Sequence, residues 1–163
     1  MTRVLGIDPG THRIGWGVVD GTPSRPGLVG CGCIELPKGT EPSEYLLKIQ
    51  SKIENLILKY SPEKIGIEAL FVQKNLKTAM TVAEARGVIL YTFAKHGLTW
   101  TQLSPNTIKS AVAGAGNAGK LEVQRMVGLL LSIDTEKLLD DTTDALAVAL
   151  ATQSMNYKLS AIT

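Results

Sequence analysis

The chain opens with short apolar runs broken by turn residues, and a helical period takes over further on. Arg3–Ile7 is β-branched and aliphatic and predicts a strand, closed by the turn chemistry of Asp8-Pro9-Gly10. Ile14–Val19 predicts a second strand, with Gly15 and Gly17 interleaved among apolar residues. Gly21–Gly27, with Pro23 and Pro26, predicts a turn, and Leu28–Leu36 a third strand. Three strands joined by short turns predict an antiparallel meander.

From Ser43, read as a helix N-cap, apolar residues recur at Leu46, Ile49, Ile53, Leu56, Ile57 and Tyr60, the helical spacing. Lys64–Ala69 is an apolar strand interrupted only by Glu68. Thr78–His96 predicts a long helix that Gly97 stops. Leu98–Leu103 predicts a strand, and Ser104-Pro105 opens a helix through Ala113. Gly114–Gly119 is a loop, followed by helices over Leu121–Leu131 and Asp141–Gln153. The meander leading into alternating helices and strands predicts an α/β fold, a mixed sheet with helices on both faces, in a single domain over residues 1–163.

Composition narrows the chemistry. The chain has 163 residues, 44% hydrophobic and 20% charged, which is globular and long enough to bury a core. Cys31 and Cys33 sit two apart, on one face of a strand, and read as reduced thiols in a cytoplasmic protein. With His12 and His96 as the only histidines, a structural zinc site lacks a coherent ligand set. Asp8 interrupts the first apolar run, so no signal peptide is expected, and no stretch approaches the ~18–20 apolar residues of a membrane span. The net charge is only +2, but residues 73–125 carry seven Lys and Arg against two acids. A near-neutral total hides a basic middle suited to phosphates.

The acids stand out against this background. Asp8 lies at the end of the first apolar strand, Glu68 lies inside Ile65–Leu70, and Asp141 and Asp144 precede the apolar run Ala145–Leu150. Asp141 and Asp144 are three apart and share a helix face that continues through Ala145 and Val148 toward the core. Taken singly, Asp8, Glu68 and Asp141 also have plain readings, as turn residue, strand end and helix cap, whereas Asp144 lies inside the helix and is harder to read as a cap. Together, carboxylates in apolar settings demand pairing or a metal. Hard divalent cations such as Mg²⁺ take a few carboxylates plus water and phosphate oxygens.

Gly6-Ile7-Asp8-Pro9-Gly10-Thr11 with Gly15-Trp16-Gly17-Val18 resembles the start of the RuvC-type Holliday-junction resolvases. Ile67–Asn75, Ala85-Arg86-Gly87-Val88 and Asp141–Ala147 resemble that family's later motifs, over about residues 3–151. The resemblance implies a ribonuclease-H-like fold with a five-stranded mixed sheet. It also implies a Mg²⁺-dependent endonuclease, with two ions per site and Mn²⁺ as the alternative ion, acting as a homodimer on four-way junction DNA in recombination and repair. The catalytic and metal-binding acids map to Asp8, Glu68, Asp141 and Asp144, with Asp140 an adjacent competitor for the third position. Phe71 matches an aromatic that stacks on a base, and Lys109 and Lys120 match basic residues near the active site; Lys120 is also assigned to offset charge on the reacting phosphate. Arg13, Lys74, Lys77 and Arg86 are further DNA-facing candidates. The family works with the RuvA–RuvB branch-migration complex.

Rival readings have local support. Gly114–Lys120 fits G-x-x-x-x-G-K, but Leu121 replaces the required Ser or Thr and a helix precedes it. Asp8-Pro9-Gly10-Thr11 also resembles a phosphate loop of actin-like ATPases, which need a second domain. A non-catalytic junction scaffold would have no use for the clustered acids. A ribonuclease H would share the metal chemistry but read 2′-hydroxyls. Two coordinated nicks need two active sites, so a C2 dimer is expected. Ala79, Ala83 and Gly87, four apart on one helix, would suit close helix packing either across a dimer or onto the chain's own sheet.

Overall fold

The computed structural model describes residues 2–70 and 76–160. Its strands are β1 (Val4–Asp8), β2 (Arg13–Thr22), β3 (Arg25–Glu35), β4 (Lys64–Glu68) and β5 (Trp100–Leu103), and they form one sheet in the order β3-β2-β1-β4-β5. The meander β1–β3 is antiparallel, while β4 pairs parallel to β1 and β5 parallel to β4. Helices α1 (Pro42–Tyr60) and α2 (Leu76–Lys95) cover one face. Helices α3 (Pro105–Ala113), α4 (Lys120–Leu131) and α5 (Asp140–Ser160) cover the other. The expected α/β mixed sheet of five strands with helices on both faces is what the chain forms.

Strand alternation assigns each residue of β1 to a layer. Leu5 and Ile7 enter the core under α1 and α2, with Ile65 and Ile67 of β4 beside them. Val4, Gly6 and Asp8 therefore face the α5 side, as do Lys64, Gly66 and Glu68. The parallel register sets Gly6 beside Gly66 and Ile7 beside Ile67, so the next residues on, Asp8 and Glu68, lie together at the carboxyl ends of these two interior strands.

The glycines on this face are there for α5. A Cβ on Gly6 would run into the Ala145 carbonyl oxygen and the Ala149 main chain, and one on Gly15 would strike the Asp141 carbonyl. Helix backbone thus rests on strand backbone, and the small side chains of Ala145 and Ala149 permit it. Asp8 pairs with Gly15 across the β1–β2 ladder, so the start of α5 is seated next to Asp8.

Several boundaries differ from expectation. The broad turn at Gly21–Gly27 shrinks to Pro23-Ser24, because β2 and β3 continue pairing from Asp20–Gly27 out to Thr22–Arg25. Ser43 is not the N-cap of α1. Pro42, lacking an N–H, takes the first turn, and Glu41 becomes the cap residue without a side-chain bond. Trp100 rather than Leu98 begins β5, because Leu98 is held by its amide to the Phe93 carbonyl in the turn after α2. A short 3₁₀ turn at Thr135–Lys137 was not foreseen, and α5 runs on to Ser160. Ser104 caps α3 as expected, its Oγ accepting from the Thr107 amide at 3.1 Å. At the far end of α2, Lys95 Nζ and His96 Nε2 both lie 2.9 Å from Glu54 Oε1 and tie α2 to α1.

Candidate metal-dependent active site

Four acids from three elements meet at the carboxyl end of β1. Asp8 and Glu68 end adjacent parallel strands and are hydrogen-bonded to each other. Asp141 and Asp144 descend on them from the first turns of α5. The loop after Asp8 is pinned by α1, whose Tyr45 hydroxyl donates to the Thr11 carbonyl at 2.9 Å.

The electrostatics follow from this crowding. Burial, and then the charges of Glu68, Asp144 and Asp141, hold the Asp8 carboxyl well above the ordinary carboxylate range. Burial and the Asp144 charge raise Glu68, against a lowering from its Asp8 hydrogen bond and the Lys109 ammonium. Asp144 is raised by burial, opposed by Lys120. Such a cluster keeps its charges only with cations among them.

Cations are placed accordingly. Lys120, the first residue of α4, sets its Nζ 3.0 Å from Asp140 Oδ2 and 3.6 Å from Asp144 Oδ2. Arg13 Nη1 lies 3.9 Å from Asp141 Oδ2. The neighbours Asp140 and Asp141 differ in placement: Asp140 is 67% exposed and turned to Lys120, whereas Asp141 is 29% exposed and its charge acts on Asp8, while both charges act on Asp144.

Beside the acids opens a cleft of about 680 Å³, lined among others by Asp8, Glu68, Thr78, Arg86, Asn106 and Lys109. A smaller cavity of about 280 Å³ joins Glu68 and Asp144 to Lys109 and Lys120. The two lysines singled out in the sequence are therefore at the acids. Arg86 is not a surface cation. It is 7% exposed, and its Nη1 donates to the Glu68 carbonyl at 2.6 Å. Phe71 and Lys74 lie outside the described residues, as does the side chain of Lys77. Asn106 lines the cleft without having been foreseen. It is there because Leu103 pairs with Glu68 and the helix that follows begins beside that acid, a register that only the sheet pairing reveals.

The donor set suits a hard divalent cation, being carboxylate oxygen throughout. Among the described residues no three Asp, Glu, His or Cys side chains form a ready-made coordination shell. Water and phosphate oxygens would have to complete one, as is usual for Mg²⁺. The Gly114–Lys120 segment links α3 to α4 and has no strand before it, so it is not a phosphate loop of the P-loop kind.

Residues 4–152 match the family described as crossover junction endodeoxyribonuclease RuvC. The chain belongs to the RuvC family. A RuvC of Roseiflexus sp. is 43% identical over 149 residues, covering 91% of this chain and 89% of its own. One of Moorella thermoacetica is 44% identical over 146 residues, covering 90% and 87%. Among solved structures, RuvC of T. thermophilus in complex with a Holliday junction substrate is similar at a TM-score of 0.91 and 26% identity. That match covers 98% of this chain and 97% of the other. RuvC family membership carries nuclease chemistry and the ribonuclease-H-like fold, and with them an expectation of divalent-metal dependence. No helix among the described residues is long and apolar enough to cross a membrane.

Proposed function

We propose that this protein is a structure-selective endonuclease that resolves four-way DNA junctions by metal-dependent phosphodiester hydrolysis in recombination and repair, with residues 1–163 acting as one nuclease domain in the cytoplasm. The observation that carries this reading is the half-buried Asp8–Glu68 carboxyl pair, faced by Asp141 and Asp144, at the mouth of an open cleft. RuvC family membership supports the substrate.

In this reading Asp8, Glu68, Asp141 and Asp144 hold two Mg²⁺ ions, with Mn²⁺ able to replace them. When bound, the ions supply an activated water nucleophile and stabilisation of the leaving 3′ oxygen. Asp8 is central, being the acid on which the other three charges converge. Lys109 and Lys120 flank the acids and offset phosphate charge. Lys120, which lies against Asp140 and Asp144, is a cation within reach of the reacting phosphate. Asp140 serves as its tether rather than as a ligand. Phe71, stacking on a base, is assigned by family resemblance, and Lys74 and Lys77 are assigned to the phosphate track from the basic charge of their segment.

Two nicks need two sites, hence a homodimer. The outward face of α2 supports this. Met80 and Tyr91 are 65% and 63% exposed there, Ala83 and Gly87 are exposed between them, and a Cβ on Gly87 would meet nothing. Cooperation with RuvA–RuvB rests on family membership alone.

The test is incubation with a synthetic four-way junction, a matched duplex and an RNA–DNA hybrid, with and without Mg²⁺. Mg²⁺-dependent cleavage of the junction in preference to the duplex is expected. Cleavage of the hybrid alone would make the protein a ribonuclease H.

A further inference from the structure

Arg86 sits midway along α2 between Ala85 and Ile89, which enter the core beneath the sheet. Its guanidinium is buried, yet no carboxylate lies within ion-pair distance among the described residues. Burying a charge without a counter-charge is costly, and burial pushes the group's pKa down. One bond is made in return, the short Nη1 contact to the Glu68 carbonyl. Nη2 is buried and has no partner. A core residue kept for packing alone would not be arginine.

The carbonyl it takes is at a gap in the sheet. The β1–β4 ladder ends at Ile7–Ile67, one residue short of Glu68. On the other side, β5 holds the strand end through Glu68–Leu103 pairing and the bond from the Ala69 amide to the Leu103 carbonyl, 2.8 Å. Arg86 supplies from α2 the restraint that β1 no longer gives. A charged donor makes the stronger bond, which explains a guanidinium where a neutral amide could reach.

We propose that Arg86 is a positioning residue for the metal site: it clamps the Glu68 main chain at the open end of β4, so that the Glu68 carboxyl is presented to Asp8. This rests on the reading of the four acids as metal ligands. Ligand-orienting groups of this kind typically change metal affinity by about 10–100-fold when removed.

Arg86→Gln and Arg86→Lys test it, with Mn²⁺ binding to the DNA-free protein followed by electron paramagnetic resonance and junction binding measured in Ca²⁺. Arg86→Gln is expected to weaken Mn²⁺ binding about 10-fold and to raise the Mg²⁺ needed for half-maximal cleavage in parallel, with junction affinity changed less than about two-fold. Arg86→Lys, which keeps a charged donor, should shift the same way by less, and it carries the measurement alone if Arg86→Gln does not fold. Unchanged Mn²⁺ binding in the folded variants overturns the clamp. Weakened junction binding with unchanged Mn²⁺ binding would instead make Arg86 a DNA contact. Asp8→Asn, run in parallel, separates the two hypotheses: if it still cleaves, the metal-site reading itself falls. If it is inactive while Arg86→Gln binds Mn²⁺ normally, only the clamp falls.

Discussion

Asp8 is both the centre of the proposed chemistry and a strain on the fold. Its carboxyl is half-buried beside three other acids, and desolvation with their charges raises its pKa well above the ordinary range. Asp8→Asn keeps the shape and removes the charge. It should abolish junction cleavage while leaving junction binding, and should raise the melting temperature in EDTA at neutral pH by a few degrees, of the order expected for about 1 kcal/mol. A variant that nicks at the wild-type rate, or melts well below it, would contradict this. The same groups set a pH dependence. Asp8, Glu68 and Asp144 have folded-state pKa values above their ordinary 3.8–4.5. The stability they contribute is full below that range and is lost as pH rises through the raised values. Without metal, the protein should therefore weaken between acid and neutral pH. Mg²⁺ should raise the melting temperature more at pH 8 than at pH 5. Equal increments at both would mean that the acids do not bind the ion as carboxylates.

At the scale of elements, the site depends on how closely α5 approaches the sheet. Gly15 is where that approach is tightest beside Asp8, its missing Cβ leaving room for the Asp141 main chain. Gly15→Ala must push the first turn of α5 outward. Overpacking of this kind costs about 1–3 kcal/mol, readable in urea unfolding. Cleavage measured well below the melting temperature should fall more than that loss implies, with a higher Mg²⁺ requirement. If activity simply tracks the folded fraction, Gly15 serves stability alone. Much of this was open to inspection in the sequence. Strand alternation put Asp8 and Glu68 on the faces opposite Ile7 and Ile67, and the three-residue spacing put Asp141 and Asp144 on one helical face. The contact of Gly15 with Asp141 was not legible, because no local pattern tells which of sixteen glycines a helix will lie across.

For the whole molecule, charge counted along the chain misleads. Among the described side chains, the cations of residues 73–125 are placed in different surroundings. Lys109 and Lys120 reach the acids, Arg86 is interior, and Lys95 lies about 13 Å along α2 from Arg86, by helix rise, bound to Glu54. Lys95→Ala should leave junction affinity and its salt dependence unchanged. Lys109→Ala should weaken binding and reduce the salt slope by roughly one counterion. Equal effects from both would restore the picture of a continuous basic track. The exposed α2 face offers a second test at this scale. Gly87→Arg should convert the proposed homodimer to monomer in light scattering and abolish paired nicking, while a single-strand nick persists. A variant that stays dimeric places the interface elsewhere.

Apolar periodicity and turn residues determined the element order, because the burial of one face of a strand or helix is written locally. The four acids were legible for a related reason: carboxylates inside apolar runs conflict with burial, and the conflict itself points to them. The different placement of Asp140 and Asp141 arises only in three dimensions, from the lie of α5 over Gly15 and the position of Lys120. So does the role of Arg86. In the sequence it is one cation among seven in its segment, and only packing reveals that its charge is buried against the main chain of Glu68. Both depend on contacts between residues distant in the chain, where distance and desolvation, rather than residue type, settle what a side chain does.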